Sequence, residues 1–245
     1  MSAAMTLEDK AVLVTGANRG IGKALVEEAL ARGAKRVHAG TRQAMAHPDP
    51  RVTPLVLDVT DPDQVQAAAS RVESLDVLIN NAGVMLPDDS LDPAVHERHL
   101  AVNLYGSNAM TQAFLPALID SRGTVINLLS CVALAPLPMF TSYSASKAAA
   151  FSLTKTLRAA HAARGVGFHA VLAGPIDTDM TRELDIPKTS PAAAARAIFG
   201  AVDNGIEDIF PDPATAPLAE AWAAGPDKIL ERQFARLVPA ADPAI

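Results

Sequence analysis

Residues Lys10 to Gly22 decide the fold of this chain, and they read Lys-Ala-Val-Leu-Val-Thr-Gly-Ala-Asn-Arg-Gly-Ile-Gly. The first half is a short apolar run rich in valine, which is typical of a buried parallel strand. Three glycines follow, and an apolar pattern with helical spacing begins at Ala24. A glycine-rich turn between a strand and a helix lets the backbone approach a pyrophosphate and points helix N–H groups at its charge. The segment therefore predicts the first βα unit of a dinucleotide-binding domain.

Later apolar runs alternate with helical patterns and predict six further strands, which cover Arg36 to Thr41, Arg51 to Leu57, Leu75 to Asn80, Thr124 to Leu129, Val166 to Leu172 and Ile206 to Phe210. This alternation indicates an α/β protein with a doubly wound Rossmann fold. We expect a parallel sheet of about seven strands with helices on both faces, in a single domain over residues 1–245. The packing of the C-terminal segment 211–245 is left open.

Composition limits the classes of function. A chain of 245 residues with 49% hydrophobic content can bury a full core. The net charge of −6 and the lack of a Lys/Arg run argue against a nucleic-acid partner. One cysteine rules out an internal disulfide, no apolar stretch reaches the ~20 residues of a membrane helix, and the start shows no secretory pattern. We expect a cytoplasmic protein with no membrane contact, and no metal, because the histidines lack ligand spacing.

A second informative stretch runs from Ser130 to Lys147. Tyr143 and Lys147 lie four residues apart in a segment with helical composition, so both side chains share one face. A cation near a phenol favours its ionised form and moves its pKa from ~10 toward the working pH. Ser130 stands thirteen residues before Tyr143, at the end of a predicted strand, where such sheets hold ligands. Tyr143 is therefore predicted to be a general acid or base.

These residues resemble the active site of the short-chain dehydrogenase/reductase family, whose mark is Tyr-x-x-x-Lys with a serine about thirteen residues upstream. The Thr-Gly-x-x-x-Gly-x-Gly turn and the Asn-Asn-Ala-Gly at residues 80–83 also resemble that family. The resemblance implies four catalytic residues, which are Asn103, Ser130, Tyr143 and Lys147. In relatives the asparagine bends its helix and holds a water connected to the lysine. Cys131 replaces a serine that is common in relatives and is predicted to be a small packed residue.

The choice of cofactor is predicted from two arginines. Arg42 follows the second strand, where NAD-selective folds place an acidic residue on the ribose, and Arg19 lies in the glycine turn. Together they favour NADP(H), because two guanidinium groups can grip a 2′-phosphate. The alternative is that both are ordinary surface residues. The resemblance implies that the cofactor contacts are Gly16, Asn18, Arg19, Gly20, Ile21, Gly22, Arg42, Asp58, Val59, Asn81, Ala82, Gly83, Tyr143, Lys147, Gly174, Ile176 and Thr178.

Two of these assignments carry alternatives. Asp58 and Val59 flank the adenine in relatives, but Asp58 is equally well explained as a turn residue that caps local backbone. Ala173 and Pro175 depart from the Pro-Gly-x of relatives, so the backbone path at the nicotinamide end of the pocket is left open. Residues 180–190 occupy the place of the family's substrate lid. The apolar residues that flank the predicted site favour an apolar substrate or are plain packing; they are Leu134, Met139, Phe140, Met180 and Leu184.

The sequence thus predicts an NADPH-dependent oxidoreductase that transfers a hydride between the nicotinamide cofactor and a ketone, an aldehyde or a secondary alcohol. One alternative is a dinucleotide-binding regulator with little catalysis. Another is an epimerase or dehydratase on the same fold, which expects a longer chain with a substrate domain. The C-terminal Val-Asp-Gly-Gly of many tetrameric relatives has no counterpart here. We therefore expect a homodimer that pairs through the predicted helices 92–118 and 143–163.

Overall fold

The computed structural model describes residues 6–86 and 92–238. Seven strands are present in this part of the chain: β1 Ala11–Thr15, β2 Arg36–Thr41, β3 Val52–Val56, β4 Val77–Asn80, β5 Thr124–Leu128, β6 Gly167–Val171 and β7 Asp208–Ile209. They form one parallel sheet in the order β3-β2-β1-β4-β5-β6-β7. The predicted doubly wound sheet is therefore confirmed. Pro54 lies in the edge strand β3, where a residue without an N–H is tolerated.

Eight α-helices surround the sheet in the described part: α1 Gly20–Ala31, α2 Pro62–Arg71, α3 Pro93–Leu100, α4 Ser107–Ser121, α5 Thr141–His161, α6 Pro191–Asp203, α7 Leu218–Ala224 and α8 Pro226–Ala235. Helices α1 and α6 bury their apolar faces in one cluster with the sheet, and α2 and α4 contribute to a second. Both faces of the central strands are thereby covered, which explains why their residues are almost all apolar.

Local side chains set where helices begin. The Asp61 carboxylate accepts hydrogen bonds from the N–H groups of Asp63 and Gln64, at 3.0 and 3.2 Å, and Pro62 occupies the first turn of α2. Asp61 is thus the N-cap of α2. Ser190 caps α6 in the same way.

The predicted single helix over 92–118 is wrong in its middle. A π-helical segment, Ala101–Gly106, separates α3 from α4, which continues to Ser121. Such wider turns occur often at functional sites. The physical reason is close packing: a Cβ on Gly106 would stand 2.6 Å from the Cγ2 atom of Val59, so the helix backbone lies against the loop after β3. The interruption contains Asn103, the predicted catalytic asparagine.

A buried ionic cluster attaches the C-terminal helices to the domain. The Lys228 ammonium of α8 donates to Asp208, at 2.8 Å, and to Glu231, at 3.2 Å. Arg158 of α5 donates to the other oxygen of Asp208, at 2.7 Å, and the Trp222 indole donates to Asp208 at 2.9 Å. Burial opposes ionisation of Asp208, yet Arg158 and Lys228 hold its pKa below the ordinary value. The segment beyond Pro211 is thus part of the folded domain as far as Val238.

The predicted lid, residues 180–190, is short, and its C-terminal end pairs with the loop after β6. It contains one 3₁₀ turn, Asp179–Thr181, and Thr189 pairs with Ile176 through the backbone. No helix in the described part of the chain is both long and apolar enough to cross a bilayer. Nor do three or more His, Cys, Asp or Glu side chains gather into a metal-binding group within residues 6–86 and 92–238.

Lys228→Met tests the ionic cluster. We expect a loss of about 3 kcal/mol in the free energy of unfolding, because buried carboxylates lose their partner. Denaturant unfolding followed by circular dichroism measures this loss. Lys35→Met, which removes an exposed ammonium outside the cluster, is the matched control. Equal stability of the two variants would show that the cluster contributes nothing net.

Candidate active site

A cleft of about 1130 Å³ opens at the carboxyl ends of the central strands. This edge, where the strand order reverses beside β1, is where doubly wound sheets bind ligands. Most of the predicted cofactor residues line the cleft: Gly16, Asn18, Arg19, Gly20, Ile21, Gly22, Arg42, Asp58, Val59, Asn81, Ala82, Gly83, Tyr143, Lys147 and Thr178. Four predicted site residues are not part of its wall, namely Asn103, Ser130, Gly174 and Ile176.

The glycine turn has a shape that other residues cannot adopt. Gly16 has a φ of +66°, and a Cβ there would lie 3.0 Å from the amide nitrogen of Asn81. A Cβ on Gly22 would collide with the carbonyl oxygen of Gly16. Helix α1 follows without a side-chain cap on its first N–H groups. These donors remain available at the cleft, so the turn fits an anionic group such as a pyrophosphate.

Thr15 joins this turn to the neighbouring strand, although it is absent from the predicted site residues. Its buried hydroxyl accepts hydrogen bonds from the N–H groups of Asn81 and Ala82, each at 3.0 Å. The Asn81 amide returns two hydrogen bonds, to the carbonyl oxygens of Thr15, at 2.8 Å, and Gly16, at 3.1 Å. The sequence signal that could have identified Thr15 is a threonine at the end of an apolar strand, because a buried hydroxyl needs hydrogen-bond partners.

The two arginines predicted to bind a 2′-phosphate differ in their surroundings. Arg19 pairs with Asp179, with 3.2 Å between nitrogen and oxygen, and Asp179 also pairs with Arg182 in the lid. Arg42 is exposed, lines the cleft and has no ion pair among the described residues. Arg42 is therefore the available cation after β2, whereas a phosphate at Arg19 would compete with the carboxylate of Asp179.

Asp58 performs the local role that the sequence left open. Its Oδ1 atom accepts hydrogen bonds from the backbone N–H of Thr60, at 2.9 Å, and from the Thr60 hydroxyl, at 2.7 Å. It also lines the cleft together with Val59. Capping the turn and facing a ligand are thus compatible, and the adenine contact stays a prediction.

The three residues of the family signature converge near the ends of β5 and α5. Ser130 follows β5, Tyr143 lies in the first turn of α5, and Lys147 lies one turn further on. Tyr143 and Lys147 are both buried. The Lys147 ammonium is 5.7 Å from the centre of the Tyr143 ring and donates to the carbonyl oxygen of Leu128 at 2.8 Å. The predicted proximity of hydroxyl, phenol and ammonium is therefore present.

The electrostatics of the pair differ from the expectation. Burial raises the pKa of Tyr143 to about 12, and a hydrogen bond with Ser130 offsets only part of that increase. Burial also lowers the pKa of Lys147 to about 8. The predicted lowering of the Tyr143 pKa by Lys147 is wrong for the protein alone, because burial is the largest effect and the opposing one comes from Ser130. The phenol is protonated at neutral pH.

Asn103 supports the cleft wall from behind. Its amide nitrogen donates to the carbonyl oxygen of Val84 and to the hydroxyl of Ser146, both at 3.0 Å, and its oxygen accepts the N–H of Val84 at 2.9 Å. A Cβ on Gly83 would stand 3.2 Å from this oxygen and 3.6 Å from the Lys147 nitrogen. Asn103 thus lies near the predicted catalytic lysine, and its place in a water relay stays a prediction.

The altered loop after β6 has its own support. The Asp212 carboxylate is buried and accepts hydrogen bonds from Gly174 N–H, at 2.7 Å, and from the Thr215 hydroxyl, at 2.8 Å. Ser130 donates to the carbonyl oxygen of Ala173 at 3.2 Å, and the N–H of Cys131 does so at 3.0 Å. Asp212 is absent from the predicted residues, and only the Asp-Pro pair that starts its turn hinted at it.

The remaining predicted residues are placed as follows. Cys131 is half-buried, and burial raises the pKa of its thiol, in keeping with a packed residue. Ile176 is buried in the core cluster that also contains the apolar faces of α1 and α6. Of the apolar residues that flank the predicted site, Met180 lines the cleft and is exposed.

The chain is similar to a group of known proteins. The family model described as short chain dehydrogenase matches residues 10–188. The short chain dehydrogenase mpl6 of Monascus purpureus is 34% identical over 71% of this chain and 68% of its own length. The 3-oxoacyl-[acyl-carrier-protein] reductase FabG of Thermotoga maritima is 34% identical over 80% of this chain and 85% of its own length.

Two solved structures are similar as well. A short chain dehydrogenase from Burkholderia cenocepacia, in complex with NADP, has a TM-score of 0.84 and 38% identity, covering 93% of this chain and 99% of that one. An NADPH-bound carbonyl reductase from chicken fatty liver has a TM-score of 0.73 and 26% identity, covering 81% and 92%. Fold and site define a nucleotide-binding oxidoreductase. The chain belongs to the short-chain dehydrogenase/reductase family.

Thr15→Val tests the connection between the glycine turn and β4. The methyl group preserves volume but removes the acceptor of two N–H groups, so we expect a loss of about 2 kcal/mol in the free energy of unfolding. Thr15→Ser keeps the hydroxyl and should lose clearly less. Thermal or denaturant unfolding of both variants measures the difference, and equal losses would mean that the hydroxyl contributes no more to stability than the methyl group that serine lacks.

Proposed function

We propose that this protein is an NADPH-dependent oxidoreductase that acts on a carbonyl or secondary alcohol, as a ketone or aldehyde reductase. The observation that carries the proposal is the group of Ser130 and the buried Tyr143 and Lys147 beside a cleft that contains the glycine turn. Membership of the family supports hydride transfer, and NADP in a similar solved structure supports the choice of cofactor.

The residues of the cleft fit a dinucleotide phosphate. The glycine turn and the uncapped start of α1 would hold the diphosphate, because their N–H groups face the cleft. Arg42, assisted by Arg19, would hold the 2′-phosphate. NADPH supplies the hydride when it is bound. Lys147 would donate a hydrogen bond to the ribose, as the family resemblance implies.

Tyr143 moves the proton. Its pKa of about 12 keeps the phenol protonated at neutral pH, so it can donate to the oxygen of a substrate carbonyl as the carbon is reduced. Ser130 orients that oxygen through its hydroxyl. In the reverse reaction the phenolate must take the alcohol proton, and a raised pKa makes the phenolate rare. The free protein is therefore better prepared for reduction, and higher pH favours oxidation.

Consumption of NADPH distinguishes the proposed reductase from the alternative functions. A dinucleotide-binding regulator would quench NADPH fluorescence without consuming NADPH when ketones and aldehydes are added. An epimerase or dehydratase would convert its substrate with no net oxidation of NADPH. Loss of NADPH absorbance with any carbonyl in a broad panel supports the proposed reductase. Self-association as a homodimer through residues 92–118 and 143–163 is part of the proposal.

Tyr143→Phe tests the proton donor. The ring still packs but has no proton to give, so we expect NADPH binding within about twofold of wild type and a rate of carbonyl reduction lowered by 10²-fold or more. Fluorescence titration and steady-state kinetics measure the two quantities. A variant that keeps more than a tenth of the wild-type rate would exclude Tyr143 as the acid.

Arg42→Asp tests the choice of cofactor. A charge-assisted contact to a partly exposed phosphate contributes on the order of 1.5 kcal/mol, so the preference for NADPH over NADH in kcat/KM should fall about tenfold or more. Arg36→Asp is the matched control, because Arg36 is exposed at the opposite end of the same strand.

Asp179→Asn should act in the opposite direction. Without the carboxylate, Arg19 is free to face a phosphate, and the preference for NADPH should rise about twofold to fivefold, since the pair is exposed. A wild-type preference near one, or a preference unmoved by Arg42→Asp, contradicts the assignment of NADP(H).

A further inference from the structure

His99 is fully buried in the last turn of α3 and belongs to none of the family motifs. Its Nδ1 atom is 2.9 Å from the carbonyl oxygen of Val95, and the N–H of Leu86 points to its Nε2 atom at 3.0 Å. A carbonyl oxygen only accepts and an N–H only donates, so Nδ1 carries the proton and Nε2 is the acceptor. The contacts therefore define one neutral tautomer of the imidazole.

The imidazole also contacts the proposed proton donor. The rings of His99 and Tyr143 lie edge to face, with centres 6.1 Å apart and planes at 62°. Edge-to-face contacts of this kind favour one orientation of the two rings. Tyr143 lies in the first turn of α5, and the contact places the imidazole of α3 against its ring.

The other partner of His99 is part of the cleft wall. Val84, Met85 and Leu86 all line the cleft on the chain after β4. Asn103 binds the backbone of Val84 on both its N–H and its carbonyl oxygen, and His99 binds the N–H of Leu86. Asn103 and His99 belong to one continuous helical run, and they bind Val84 and Leu86 of the cleft wall. An ordinary core histidine would satisfy its nitrogens without connecting two walls of the cleft.

We propose that His99 is a positioning residue for the reaction, which orients Tyr143 through its ring and fixes the 84–86 wall through Nε2. This inference rests on the proposed reductase function for its kinetic consequence. We expect the two contacts of His99 to affect different kinetic constants. The ring contact acts on the proton donor and so on kcat, whereas the bond to Leu86 acts on the shape of the substrate side and so on KM.

Two substitutions remove one contact each. His99→Gln loses the ring but has an amide oxygen that can accept the N–H of Leu86. We expect kcat for a carbonyl that the wild type reduces with NADPH to fall roughly twofold to tenfold, with KM within about twofold. His99→Phe keeps a ring and loses the acceptor, so KM should rise about fivefold or more, with kcat within about twofold.

His169 offers the matched control. It is also a buried histidine, with Nδ1 2.7 Å from the carbonyl oxygen of Ile206, but it lies in β6 and does not line the cleft. His169→Gln and His169→Phe should change stability without separating kcat from KM. If the four variants change both constants alike, or if the His99 variants keep both within twofold, His99 is a packing residue only and the inference is overturned.

A second measurement does not depend on turnover. The chain contains two tyrosines, Tyr143 and the exposed Tyr105, so ¹³C-tyrosine labelling gives two sets of ring resonances. We expect both His99 variants to shift the Tyr143 resonances and leave those of Tyr105 unchanged, and the His169 variants to shift neither. Unmoved Tyr143 resonances would refute the positioning role. If the Tyr143 resonances shift but the wild-type protein reduces no carbonyl, the contact between His99 and Tyr143 stands and the proposed reductase function is refuted.

Discussion

The site depends first on the hydrogen bonds between Thr15 and Asn81, which join the end of β1 to the end of β4. The strand order reverses between these strands, and a crevice opens there because the following segments leave the sheet in opposite directions. The Asn81 amide also binds the Gly16 carbonyl oxygen, and Gly22 packs against that oxygen too closely for a Cβ. The shape of the turn is therefore held by contacts with the ends of β1 and β4.

A second constraint is the burial of Tyr143 and Lys147, the predicted catalytic pair. Removal of water raises the pKa of Tyr143 and lowers that of Lys147, so both groups move toward their neutral forms. The sequence predicts only the attraction between the two charges, because spacing shows proximity and not solvation. Spacing also cannot show that the Lys147 ammonium donates to the carbonyl oxygen of Leu128. The direction of a pKa shift at this site requires the structure.

The sheet, the order of its helices and most of the cleft could be predicted, because apolar runs, glycines and capping residues are local signals. The two strongest supports could not, since Asn81 and Thr15 are separated by 66 positions, and Asp212 and Gly174 by 38. Nor did helical periodicity reveal the π-helical segment at Ala101–Gly106, because apolar spacing tolerates one inserted residue. The sequence therefore predicts the residues that line the site better than the sequence-distant contacts that support them.

The helical run from α3 through the π-helical segment supports two parts of the cleft wall. Its inner side holds Val84 and Leu86, while Gly106 lies so close to Val59 that a side chain there would displace the loop after β3. Two stretches of the cleft wall are thus fixed by residues outside the serine, tyrosine and lysine signature. Substitutions in this run would alter the cleft while leaving the signature intact. Family membership establishes oxidoreductase chemistry, whereas the fold by itself does not determine the substrate.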